Sequence, residues 1–211
     1  MALCCERDVG MSFVSPYGKF LARVGGGVSG NVLLRKKQYV LSDDEEGAAK
    51  IAEWIILGKL ANCRSVLLRF SRDHAEMVSA DFQKNLVRIT EGIEQLRESQ
   101  LTLNELRGME GMLSRHYFSV FDDLILSREG DFSFECRSRH PPLNRVNALL
   151  SFVYMLIAAD CASALESVGL DPQVGFLHRV RPGRPGLALD LMEEFRAVLA
   201  DRMALSLVAI K

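Results

Sequence analysis

Residues 103–125 read LNELRGMEGMLSRHYFSVFDDLI. The apolar members Leu106, Met109, Leu113, Tyr117, Val120, Phe121 and Leu124 return every three or four positions, the period of an amphipathic helix with one face on a core. Glu110 falls beside that stripe and between Gly108 and Gly111, which makes it a candidate inward-facing acid. A glycine inside a helix costs about 1 kcal/mol relative to alanine, so two around one glutamate suggest close backbone approach or access for a bulky ligand. The pattern predicts a helix over 103–127.

Outward from this helix the same period dominates. Helices are expected over about 30–40, from the acidic start Ser42-Asp43-Asp44-Glu45-Glu46 through Trp54 and Leu60 to Phe70, and near 75–98. Pro141-Pro142 ends an irregular stretch and starts an apolar helix from Leu143 to Val168, and a last helix runs from Leu187 to the end. Only residues 9–14 (VGMSFV) and 19–24 (KFLARV) read as strands, joined by the turn Ser15-Pro16-Tyr17-Gly18 and followed by a glycine linker at Gly25 to Gly30. A hairpin of that size is marginal alone. The fold class is mainly α: a multi-helix domain over residues 30–211 preceded by a β-hairpin and linker over 1–29.

The chemistry concentrates in residues 175–196, GFLHRVRPGRPGLALDLMEEFR. Asp190 and Glu193 stand three apart, on one face of a helix, where they can point at a common ion or the same bound group. They equally suit the first turn of a helix, favoured by its dipole. His178 precedes them across a Pro/Gly-rich turn that carries Arg179, Arg181 and Arg184. Glu110, His178, Asp190 and Glu193 together form a hard donor set of carboxylates and one imidazole, suited to Mg²⁺ or Mn²⁺ rather than structural zinc. Arginines beside such a set match a phosphate backbone, so the implied chemistry is metal-assisted phosphoryl transfer on nucleic acid.

Three blocks in order, LRGMEGMLSRHYFSVFDDLI, FECRSRHPPLNRVNALLSFVYMLI and GLDPQVGFLHRVRPGRPGLALDLMEEFRAVLADR, resemble the CRISPR-associated integrase, the metal-dependent endonuclease subunit of the spacer-acquisition complex. The segment VSPYGKFLARVGGGVSGNVLLRKKQY resembles the hinge between that family's two domains, with a flavour closest to the I-C subtype. The resemblance implies that Glu110, His178 and Glu193 hold the ion and that Asp190 supports catalysis. Tyr117 and Asn147 are helpers by position. It further implies one-metal transesterification that inserts captured DNA fragments into a CRISPR array, a homodimer for complete members, and a second, smaller partner subunit. Family members usually begin with a β-rich domain and continue beyond LSLVAIK into further helices, so the resemblance reads this chain as a shortened member. The alternative is a catalytically silent helical DNA-binding or assembly remnant.

Composition bounds these readings without choosing among them. Lys and Arg total 26 against 27 Asp and Glu, for a net charge of -1, so DNA contact must come from local patches. The candidates are Arg137 with Arg139 and His140, the Arg179, Arg181 and Arg184 cluster, and Arg35-Lys36-Lys37, the last read as a solvated face. Five cysteines without a CxxC pattern favour thiols in a reducing compartment. The run at 148–164 is broken by Asp160 and reads as a core helix rather than a membrane span, so a cytoplasmic protein without membrane partners is expected. His74, His116 and His140 read as surface or hydrogen-bonded residues, Glu105 and Glu194 as solvated. Phe118, Phe121, Phe152 and Tyr154 read as core.

Overall fold

The computed structural model describes residues 2–7, 9–16, 20–24, 31–127, 132–139 and 141–209. His140, Tyr17, Gly18 and the linker at Gly25 to Gly30 lie outside the described residues.

A 29-residue helix, α3 (Glu45–Asp73), runs through the centre and packs against α2 (Val32–Asp43), α4 (Ala80–Glu98), α5 (Leu103–Ser119) and α7 (Gly186–Phe195). Its buried face is Ala48, Ala52, Ile56, Lys59, Leu60, Cys63, Val66, Leu67 and Phe70, an apolar stripe interrupted by one lysine. The α5 stripe of Leu106, Met109, Leu113 and Tyr117 is buried as its period requires. Gly92 allows α4 to approach it, since a Cβ there would come within 2.6 Å of Leu113. On the other side α6 (Arg145–Ser167) packs on α7 and on α8 (Arg202–Ala209).

Local chemistry sets the helix starts. Asn31, Asp44, Ser79 and Asn144 each accept a first-turn amide with the side chain, and Thr102 forms a reciprocal capping box with Glu105. Glu105 is thus exposed but occupied. At α7 no side chain caps the first turn; the Pro172 and Gln173 carbonyls accept the amides of Leu187, Ala188 and Gly186 instead. That places the loop 170–178 on the α7 N-terminus. Buried Gln38 fastens the same loop to α2, donating to the Asp171 and Val174 carbonyls at 2.7 and 2.8 Å and accepting the Asp171 amide. Arg35, read as part of a solvated run, donates to the Gly169 carbonyl at 3.0 Å.

Several boundaries differ from the sequence reading. A short helix, α1 (Ala2–Glu6), precedes the hairpin, where the sequence pattern predicts no element. Strands β1 (Met11–Val14) and β2 (Phe20–Val24) pair antiparallel, Met11 opposite Val24, with a register irregularity at Phe13 and Val14. Helix α5 stops at Ser119 rather than 127: the Asp122 carboxylate accepts the Phe134 amide at 2.8 Å, and Phe121 and Phe134 pack 4.7 Å apart, so residues 132–135 take the place of another helical turn. The last helix is not continuous. Between α7 and α8 lies a π-helical turn, Arg196–Asp201. Phe152 is 45% exposed and is not core, whereas Phe121 and Tyr154 are buried and Phe118 packs against the core. Among the described residues α6 alone is long and apolar enough to cross a membrane by composition; here it packs as a helix of the bundle.

Candidate metal centre

The loop 175–178 wraps one carboxylate. Asp190 is fully buried; Oδ2 accepts the amides of Phe176 and Leu177 at 2.6 and 3.0 Å, and Oδ1 accepts the His178 amide at 2.9 Å and meets His178 Nδ1 at 2.6 Å. Gly175 makes the wrapping possible: a Cβ there would fall 2.6 Å from Asp190 Oδ2 and 2.6 Å from the backbone of Gly186. Asp190 and Glu193 lie in the second and third turns of α7, not its first, so stabilising the helix dipole is not what places them there. The shared group at which they point is the His178 imidazole. Asp190 takes Nδ1, and Nε2 faces Glu193 Oε1 at 4.0 Å.

Glu110 comes from α5 to the same place, and between it and Glu193 stands a residue that the sequence reading missed. Lys59 of α3 donates to Glu110 Oε1, and its Nζ lies 2.7 Å from Glu193 Oε2. Ser114, one turn along α5, also donates to Glu110 Oε1, at 2.9 Å. Arg196 NH1 donates to Glu193 Oε1 at 2.7 Å. Glu193 Oε2 is buried, and the Lys59 ammonium is its partner. Burial alone would raise the Glu193 carboxyl, but Lys59, Arg196 and His178 together hold it down at about 2. Burial likewise presses on the Lys59 ammonium, and the carboxylates of Glu193 and Glu110 outweigh it and keep its pKa above the ordinary value. As placed, no three His, Cys, Asp or Glu side chains among the described residues converge closely enough to ligate an ion.

Two cationic hollows open on these acids. One, of about 560 Å³, is lined by Lys59, Glu110, Gly111, Arg115, Arg137, Arg139 and Arg196 among others. The other, of about 220 Å³, is lined by Arg107, Glu110, His178, Arg179, Arg181, Arg184 and Glu193. Arg137, Arg139, Arg179, Arg181 and Arg184 therefore each reach a hollow that borders Glu110. Arg179 donates to Asn104 at 3.3 Å, and Arg107, also missed, donates to the Leu177 carbonyl at 2.6 Å. Arg137 is half-buried and already bonded, NH1 to Asn147 Oδ1 at 2.8 Å and NH2 to Ser151 at 3.0 Å. Asn147 also accepts the Ser138 amide and donates to the Cys136 carbonyl, tying residues 136–138 to α6. No other group lies within 4 Å of where a Cβ would stand at Gly108 or Gly111, so neither marks a close approach; Gly111 opens on the larger hollow.

Tyr117 does not reach the acids. With Tyr154 it donates to buried Asp201, at 3.0 and 2.5 Å, while the Arg196 guanidinium lies over the Tyr154 ring at 4.4 Å. Burial pushes Asp201 up to about 6 against the opposing pull of both hydroxyls and Arg196. The π-helical turn thus begins with the arginine that binds Glu193 and ends with the acid that binds the two tyrosines. Of the three remaining histidines, His74 packs on Phe70, His116 Nδ1 meets Asn85 Oδ1 at 2.8 Å, and His140 is outside the described residues. Glu194 is half-buried, its side chain against Gly58 of α3, and is not a solvated residue.

The family profile described as CRISPR associated protein Cas1 matches residues 1–211. The chain belongs to the Cas1 family. A CRISPR-associated endonuclease Cas1 of Chlorobaculum tepidum is 48% identical over 97% of this chain, and one of Rhodospirillum rubrum is 50% identical over 99%. The chain spans 60% and 61% of the length of those relatives. Among solved structures, a casposase bound to integration product superposes over the whole chain with a TM-score of 0.81 and 29% identity, covering 57% of that protein. A Cas1 protein from Thermotoga maritima does so with a TM-score of 0.80 and 27% identity, covering 64%. The Cas1 helical fold is therefore that of the described bundle; the relatives carry no subtype, so the I-C flavour rests on the sequence motifs alone.

Within this Cas1-family chain, two signals would have disclosed the missed cations. Lys59 occupies a position of the buried α3 stripe, three after Ile56 and four before Cys63, where a lysine is out of place unless paired. Arg196 repeats the three-residue step that separates Asp190 from Glu193.

Proposed function

We propose that this chain carries the catalytic centre of a CRISPR-associated integrase and endonuclease, performing divalent-metal-dependent phosphoryl transfer on DNA. The observation that carries the reading is that Lys59 joins Glu110 to Glu193, whose other oxygen faces His178 Nε2, beneath two arginine-lined hollows, with Asp190 fixing the other edge of the imidazole. The endonuclease names of the relatives and the integration product held by the casposase support it.

The residues fit a hard divalent ion. Two carboxylates with one imidazole suit Mg²⁺ or Mn²⁺, and buried Glu193 Oε2 already holds a cation, the Lys59 ammonium. Glu110, Glu193 and His178 would hold it, with Lys59 moving aside. When bound, the ion supplies Lewis-acid stabilisation of charge on a phosphodiester and activation of the attacking oxygen. Asp190 holds His178 in the tautomer that presents Nε2. Arg139, Arg179, Arg181 and Arg184 orient the DNA backbone, while Arg137 shapes and charges the wall of the larger hollow. The attacking group is a 3′-hydroxyl for strand joining and water for cleavage. The captured fragment and the CRISPR repeat are the DNA partners, in an assembly with a second copy and with a smaller subunit, in the cytoplasm. A relative solved as a partial Cas6-RT-Cas1–Cas2 complex, 26% identical with a TM-score of 0.74, supports assembly with another Cas subunit. Residues 30–211 form the catalytic unit and residues 1–29 the hairpin and linker.

Strand joining and cleavage of a branched DNA by the purified chain with Mn²⁺ or Mg²⁺ tests the reading, beside His178→Ala and Glu110→Ala. Activity lost in both variants supports it. Equal silence in wild type and variants points to the helical remnant.

A further inference from the structure

The best-defined cation in the centre is one that the chain supplies itself. The Lys59 side chain is 5% exposed and that of Glu193 4%, and the ammonium is held between Glu193 and Glu110. A buried lysine is tolerated only when paired, and two carboxylates drawn together from α5 and α7 repel unless a positive charge separates them. Lys59 meets both requirements at once. With Arg196 on the other oxygen of Glu193, two negative charges meet two positive ones and the group is neutral. A divalent ion entering that neutral group would meet the ammonium at close range, so ion and ammonium compete for the same oxygens.

The geometry also provides a place for the ammonium to go. Lys59 lines the larger hollow together with Arg137, Arg139 and Arg196, and its four-carbon stem is flexible enough to swing its charge into it. A phosphate there gains the charge that the carboxylates give up.

Building on the metal-dependent reading above, we infer that Lys59 is a resident counter-cation that holds Glu110 and Glu193 together until a divalent ion replaces it, and that the displaced ammonium turns to a phosphate in the adjoining hollow. Metal and DNA then bind cooperatively, because each removes the obstacle to the other. The chain without DNA holds its metal weakly.

The test is Mn²⁺ titration of the whole chain, followed by the electron paramagnetic resonance of free Mn²⁺, for wild type, Lys59→Met, Lys59→Arg and Glu193→Gln. Without DNA, Lys59→Met is expected to bind Mn²⁺ about tenfold or more tightly than wild type, as loss of a close like charge requires. Lys59→Arg stays near wild type. Adding a branched DNA is expected to tighten wild type strongly and Lys59→Met little. Equal or weaker binding by Lys59→Met, with binding abolished in Glu193→Gln, overturns the role of Lys59 and leaves the metal site standing. Absence of saturable binding in every protein removes both. Wild type alone provides an independent readout should Lys59→Met fail to fold: the Lys59 ammonium resonance must move when diamagnetic Mg²⁺ and DNA are added together, and an unmoved resonance overturns the proposal.

Discussion

Asp190 grips His178 twice through one oxygen, Oδ1 taking the amide at 2.9 Å and ring Nδ1 at 2.6 Å, while Oδ2 holds the two preceding amides. One carboxylate therefore fixes a loop and the orientation of an imidazole. Asp190→Asn replaces one of the two acceptor oxygens by an amide donor that faces backbone N–H groups. Strand joining should fall about 10–100-fold, and stability in urea by about 1–3 kcal/mol through amides left unbonded. Full activity in this variant would remove Asp190 from the mechanism.

Gly175 and Gly108 make a matched pair with opposite expectations. At Gly175 a methyl group would press on Asp190 and on the Gly186 backbone, neither of which can withdraw, so Gly175→Ala should destabilise by about 1–3 kcal/mol and blunt activity. At Gly108, inside α5 with open space around its Cβ position, alanine should stabilise by about 0.5–1 kcal/mol. Chemical unfolding of both variants reads the difference, and a destabilising Gly108→Ala would contradict the open surroundings described for it.

Asp201 sets a pH dependence. Tyr117 of α5, Tyr154 of α6, Lys59 and Cys63 of α3 and Arg196 of its own turn surround it, and burial raises it from 3.8 to about 6. An acid raised on folding binds its proton more tightly in the native chain, so its contribution to stability declines as pH rises through that window and is level above it. Melting temperatures of wild type between about pH 4 and pH 6 should contain this falling component, and Asp201→Asn should lack it. Parallel profiles for the two proteins would refute the assignment.

Arg181 and Arg184 are read as phosphate-binding groups. Replacing either by alanine should weaken DNA binding and reduce the salt dependence of log K by about 0.7–0.9 for each phosphate no longer neutralised. Mn²⁺ affinity without DNA should not change. A variant with wild-type salt slope is not touching phosphate.

Much of this was legible in the chain. Helical period and caps located α3 to α6, and hard-donor chemistry with the family motifs assembled Glu110, His178, Asp190 and Glu193. What escaped depends on tertiary contacts. Ser119 ends α5 because Asp122 and Phe121 are engaged by Phe134, a residue beyond an irregular segment. Phe152 reads as core by hydrophobicity, yet it faces outward on α6 because Val153 and Tyr154 take the inner face. Lys59 escaped because a lysine within an apolar helix invites the assumption of solvent, and its two partners lie on helices far along the sequence.

The widened turn at Arg196–Asp201 has an arithmetic consequence. An α-helix advances about 100° per residue, so winding these six residues as an ordinary α-helix, with none removed, would rotate everything downstream by about that angle. Arg196 would keep Glu193, but Asp201 would swing away from Tyr117 and Tyr154. Removing one residue from 197–200 can be absorbed by a return to ordinary winding, whereas adding one cannot. The extra residue works as a shim between the two charges, and an insertion of one residue should be more harmful there than a deletion.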